Sequence, residues 1–147
     1  MSKPFDQDDQ TRLLALLRRQ QAKESLEEFI NRVSPNLPPP PHVRPIMELF
    51  ERSRHEEVRA VISMPPGFAK SVTAMHGLAW RTHVDPACKN AYLSGGLDLA
   101  QRHSREVRRM AIEAGVGLAK DAQAVTEWQT SSAVSYTHLT LPTKRIV

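Results

Sequence analysis

The sequence predicts an α/β fold, a parallel sheet with flanking helices, preceded by N-terminal helices. Three observations predict it. Short apolar runs at 59–64 and 90–94 alternate with longer stretches of helical periodicity. Each run is followed by a glycine-containing turn and then a helix, the order of parallel strands joined by right-handed crossovers. Before the first run, apolar residues recur at helical rather than strand spacing.

Taken in order, Leu13, Leu14, Leu16, Leu17, Leu26, Phe29, Ile30 and Val33 fall at helical spacing among Arg, Gln and Glu, so one or two amphipathic helices are expected over about 10–33. Asp8 or Asp9 can cap the start. Ser34-Pro35-Asn36 ends the pattern, and prolines 38–41 enforce an extended connector, because proline fixes φ and restricts its predecessor. A short helix follows, with Ile46, Met47, Leu49 and Phe50 as its buried side and Pro45 in its first turn. Residues 59–64 read as a short buried strand and 65–69 as a loop. From Lys70 to about Arg81 a helix turns Val72, Met75, Leu78 and Ala79 inward. Asp85-Pro86 breaks the chain. Residues 90–94 form a second strand, Gly95-Gly96 a turn, and Leu97 to about Ala114 a long helix burying Leu99, Ala100, Val107, Met110 and Ala111. Gly115 and Gly117 stop that helix, and 124–129 is a third strand candidate.

With 147 residues the chain supports one domain with a core; 40% hydrophobic and 24% charged residues set it apart from disordered chains. No apolar run approaches the ~20 residues that span a bilayer, and the start MSKPFDQDDQ lacks a secretory stretch, so an intracellular setting without membrane contact is expected. The single cysteine, Cys88, excludes an internal disulfide and a cysteine-built metal site. A net charge of +4 is too small an excess to diagnose nucleic-acid binding. His76, His83 and His103 do not stand at ligand spacing with carboxylates. The arginines 102, 105, 108 and 109 read as a solvated helix face pairing with Glu106 and Glu113, and Trp80 and Trp128 as packing anchors.

The chemistry concentrates in MPPGFAKS, residues 64–71, between the first strand candidate and its helix. A phosphate-binding loop wraps backbone N–H groups around phosphate oxygens at a helix N-terminus. Its lysine neutralises the β- and γ-phosphates, and the hydroxyl that follows binds the nucleotide's Mg²⁺. Lys70 and Ser71 are that pair, and Gly67 lets the backbone turn. The full G-x-x-x-x-G-K-[ST] pattern is not met, since Met64 and Ala69 stand where its glycines belong.

The stretch VISMPPGFAKSVTAMHGLAW resembles the start of the ATPase domain of tailed-bacteriophage terminase large subunits, the motors that pump DNA into procapsids. PPPPHVRPIMELFER resembles the family's upstream proline–histidine segment and short helix, LDLAQRHSREVRRM its arginine-rich helix, and AVTEWQT its strand ending in Trp and a polar pair. These four matches, in order, cover about 34–130. The resemblance implies a partial P-loop NTPase domain over 38–133, behind an N-terminal helical segment at 1–37. It implies ATP and Mg²⁺ as ligands. Pro66, Gly67, Phe68 and Ala69 would line the phosphates, Lys70 would contact them as the catalytic lysine, and Ser71 would ligate the Mg²⁺; His42 and Arg44 would lie near the adenine. Many family members carry an arginine where this chain has Gly67, so its role would fall to another residue, come from a neighbouring subunit, or be absent. By the same resemblance the parent hydrolyses ATP to translocate double-stranded DNA in the host cytoplasm. Its partners would be a portal, a small terminase subunit and further copies of itself, and a nuclease domain would cut the DNA.

No apolar strand ending in Asp-Glu follows Ser71, and no acidic nuclease cluster is present, so an inactive N-terminal fragment is expected. VSYTHLTLPT, at 134–143, does not continue the family pattern and looks like a translated sequencing adapter, which makes 134–147 a non-native tail. Two alternatives stay open: another P-loop ATPase of helicase or AAA type, and a non-enzymatic basic helical module.

Overall fold

The structure, a computed structural model, describes residues 7–21, 24–124, 127–131 and 134–140. The chain runs α1 (Gln7–Gln21), α2 (Leu26–Val33), a 3₁₀ turn (Pro41–Val43), α3 (Arg44–Arg52), α4 (Lys70–Val84), β1 (Asn90–Ser94), α5 (Leu97–Glu113), β2 (Leu118–Gln123), β3 (Glu127–Thr130) and β4 (Val134–Thr140). It is a mixed α/β chain with five α-helices among the described residues.

The helical expectation resolves into two helices before the proline connector. Asp8 and Asp9 lie in the first turn of α1 rather than at its cap, where their charge still favours the helix dipole. α2 starts on a capping box: Ser25 Oγ accepts from the Glu28 amide at 3.2 Å, and Glu28 Oε2 accepts from the Ser25 amide at 2.9 Å. Pro45 occupies the first turn of α3, whose Ile46 and Met47 are buried. α4 runs three residues beyond the expected end, because Thr82, His83 and Val84 are buried and keep the pattern going.

The core gathers Leu26, Phe29 and Ile30 of α2, Val43, Ile46 and Met47, then Met75, Ala79, Trp80 and Val84 of α4, Val107, Met110 and Ala111 of α5, and Trp128 of β3. α4 is its centre, packing against α2, α3 and α5. Gly77 permits this: a Cβ there would sit 2.6 Å from the Phe50 ring, so the bare backbone of α4 receives that ring. Trp80 and Trp128 are both fully buried, as packing anchors. Leu99, expected inside, is 43% exposed, since it lies one position off the face carrying Ala100, Ser104, Val107 and Ala111. Leu13, Leu16 and Leu17 of α1 are exposed as well.

The sheet departs most from expectation. Its order is β1-β4-β3-β2, with β2/β3 and β3/β4 antiparallel and only β1/β4 parallel. Residues 59–64 are not a strand, and Val61 is 98% exposed. An apolar run satisfies the local pattern of a strand, but pairing needs a partner edge, and none of the four strands takes 59–64 as a neighbour. The third strand candidate forms as β3, shifted to 127–130, and β2 precedes it unannounced by the sequence pattern. β4 lies within the stretch read as a non-native tail. No helix among the described residues is long and apolar enough to cross a membrane.

An ionic cluster bolts the start of α2 to α4. Arg32 donates twice to Glu24, at 2.8 Å each, and His83 Nε2 lies 2.9 Å from Glu24 Oε2. Burial pushes His83 below the ordinary imidazole range despite the pull of Glu24, so the ring is neutral and its Nε2–H donates to the carboxylate. Burial works to raise Glu24, but the hydrogen bond and charge of Arg32 outweigh it and hold the carboxyl low. His76 is also held low by burial. All three folded values lie below the unfolded ones, so the native state binds fewer protons and stability falls on acidification. The histidine share fades as pH drops below 6.5; the Glu24 share fades below 4.5. Melting temperature is therefore expected to fall between about pH 7.5 and about pH 5, and the His76→Gln/His83→Gln double variant should flatten that slope. A slope unchanged in the double variant would refute the assignment.

Candidate functional site

α4 opens at Lys70 on an N-cap, Ala69, that offers no side-chain hydrogen bond. The first amides of a helix have no acceptor within it, so those around Ala69–Val72 point outward as donors. Two residues upstream the backbone is already curled. Gly67 has φ +82, Ala69 has φ +58, and Phe68 between them has negative φ, Ala69 being the only non-glycine with positive φ among the described residues. Alternating signs of φ are the backbone pattern of an anion nest, in which successive amides turn toward one point. Gly67 meets this requirement without cost, with open space around it. Ala69 meets it under strain, because a Cβ disfavours the left-handed region by about 1–2 kcal/mol. The strain falls at the position where the common pattern carries its second glycine.

The loop has few tethers. The carbonyl of Ala69 accepts from the Thr73 amide at 2.9 Å and from its hydroxyl at 2.8 Å. Lys70 Nζ donates to the Met64 carbonyl at 3.3 Å, which keeps the amine at the base of the loop. His42 Nε2 lies 3.1 Å from the Phe68 carbonyl, with the two rings edge-to-face at 5.5 Å. Pro66, Gly67, Phe68 and Ser71 are exposed.

Of the residues singled out by sequence, Pro66 to Ser71 thus surround one helix N-terminus, and His42 reaches the same loop. Arg44 does not reach it by any contact among the described residues: its guanidinium stands 3.9 Å from Glu27, both side chains being more than half exposed. Arg109 pairs with Glu106 and Glu113, as expected for a solvated face.

A cleft of about 240 Å³ lies beside the loop, walled by Ile30, Leu37 and Pro38 to Pro40 on one side and by Ala69, Val72, Thr73 and His76 on the other. It is an apolar slot with one end at the nest. Sequence reasoning passed over this wall, although Ala69, Val72, Thr73 and His76 share the i, i+3, i+4, i+7 face that would have marked it. His76 is fixed there: its Nδ1–H donates to the Val72 carbonyl at 2.8 Å, and its neutral Nε2 accepts from Ser34 Oγ at 2.9 Å.

Chemically, the site can receive a tetrahedral anion on backbone amides with one ammonium alongside. No cluster of three His, Cys, Asp or Glu among the described residues is arranged to hold a metal. A divalent ion here would take the Ser71 hydroxyl and phosphate oxygens, which fits an ion that arrives with its nucleotide. Compared with known proteins, the chain matches no family model, no curated protein and no solved structure.

Proposed function

We propose that the 64–71 loop binds the phosphates of ATP with Mg²⁺, and that the chain belongs to a DNA-packaging motor of the tailed-phage terminase large-subunit type. The observation that carries the phosphate assignment is the alternation of φ at Gly67, Phe68 and Ala69, immediately before Lys70 opens α4. In this reading the amides of Gly67 to Ala69 donate to the phosphate oxygens, Lys70 neutralises their charge, and the Ser71 hydroxyl ligates the metal. Mg²⁺, which the Ser71 hydroxyl would help to hold, would supply neutralisation of the phosphate charge. The apolar cleft beside Ala69 gives the base a slot. Residues 59–64 lead into the loop without the strand pairing of a complete P-loop domain. The whole protein would hydrolyse ATP to move double-stranded DNA, with portal, small subunit and further copies as partners.

The motor assignment rests on the four ordered sequence resemblances. A second reading, a basic helical module without nucleotide chemistry, is favoured by one observation: 59–63 are exposed, and the 59–64 segment joins no strand of the sheet. Titration with a fluorescent ATP analogue separates the two. Saturable binding, displaced by inorganic triphosphate, is expected, with Ser71→Ala weakening it only when Mg²⁺ is present. Displacement by adenosine but not by triphosphate would sink the phosphate assignment.

A further inference from the structure

We infer that His42 is a positioning residue that braces the Phe68–Ala69 peptide and so aims the Ala69 amide into the anion nest. The inference deepens the phosphate-binding reading and rests on it for its functional consequence.

A carbonyl oxygen only accepts, so the 3.1 Å contact requires the proton on His42 Nε2. That donor is rigidly mounted. Pro40 and Pro41 restrict the backbone before it, the fully buried Val43 anchors the turn after it, and α3 begins at the next residue. The acceptor is the least supported part of the loop: Phe68 is 48% exposed, and nothing approaches within 4 Å of where a Cβ on Gly67 would stand.

The consequence follows from the peptide plane. No described peptide bond is cis, so the Phe68 C=O and the Ala69 N–H share a plane and point in opposite directions. Holding the carbonyl toward His42 turns the amide away from it, to the concave side of the loop. A flip of this peptide would reverse the amide and carry Ala69 from its positive φ to a negative one. For alanine that flip relieves strain. The loop therefore has an internal drive to lose its anion-binding curl, and the imidazole opposes it. A glycine at 69 would feel no such drive. The brace compensates for the departure from the glycine pattern.

The test uses the whole chain and two readouts, affinity for a fluorescent ATP analogue and the one-bond Cα–Hα coupling of Ala69, which distinguishes positive from negative φ. His42→Phe keeps a ring against Phe68 and removes the donor. It should weaken analogue binding roughly three- to tenfold, the worth of one net hydrogen bond, and move the Ala69 coupling toward the negative-φ value. His42→Gln restores a donor at the same reach and should retain both. Adding Ala69→Gly to His42→Phe should recover much of the affinity. Unchanged affinity and coupling in His42→Phe, or equal losses in His42→Gln, would overturn the inference. If the wild-type chain bound no analogue, the phosphate reading would fail, and the Ala69 coupling in the two His42 variants would still decide the brace.

Discussion

Lys70→Ala is expected to weaken binding of an ATP analogue by about ten- to a hundredfold while leaving the melting temperature nearly unchanged. The magnitude follows from removing one charge-assisted contact to phosphate, roughly 1.5–3 kcal/mol. The insensitivity of the fold follows from geometry. The amine makes a single protein contact among the described residues, 3.3 Å to the Met64 carbonyl, and it is not fully buried. Losing so long a bond leaves an acceptor that water can reach. Lys70→Arg should rescue only partly, because a planar fork replaces a compact point charge at the mouth of a tight loop. Isothermal titration beside a thermal melt reads both halves. Binding that survives Lys70→Ala intact would reject the phosphate assignment and leave the basic-module reading.

The largest effect on stability is expected at Trp80. Its indole, in the C-terminal half of α4, is 1% exposed, and Nε1 donates to the Glu24 carbonyl at 2.9 Å. The Arg54 guanidinium lies over the ring, 5.6 Å from its centroid. Trp80→Ala removes this packing and strands the carbonyl, for a loss of about 3–5 kcal/mol in urea unfolding. Small domains hold only about 5–15 kcal/mol in total, so the variant is expected near the edge of folding. Trp80→Phe keeps most of the ring and loses the donor, which should cost about 1–2 kcal/mol. That variant keeps the assignment testable if the alanine variant fails to fold. A loss under about 1 kcal/mol for Trp80→Ala would mean that the residue is not the anchor described.

Much of the helical framework was legible because its signals are local. Ile46 and Met47, or Val107, Met110 and Ala111, announce a buried face by spacing alone, and Ser25 with Glu28 spells a capping box that could have been read directly. Leu99 was misplaced because spacing defines a face only to within one residue, and because a buried serine, Ser104, sits where the pattern asks for an apolar side chain. The run at 59–64 was misread as a buried strand for a different reason. Strand patterning states what could pair, while pairing is decided by an edge elsewhere in the chain. The contact of His83 with Glu24, almost sixty residues upstream, carries no sequence signature at all.

For the loop itself, the sequence determined that Lys70 and Ser71 open a helix and that Gly67 permits a turn before it. Those are properties of single residues and their immediate neighbours. Only the tertiary structure decided that Ala69 adopts the left-handed region and that the Phe68 carbonyl turns toward His42. Peptide orientation is set by a donor from another element, 26 positions earlier, and by the proline turn that holds it there. A failed glycine pattern can therefore still curl into a nest, because a distant side chain opposes the flip that alanine alone would favour.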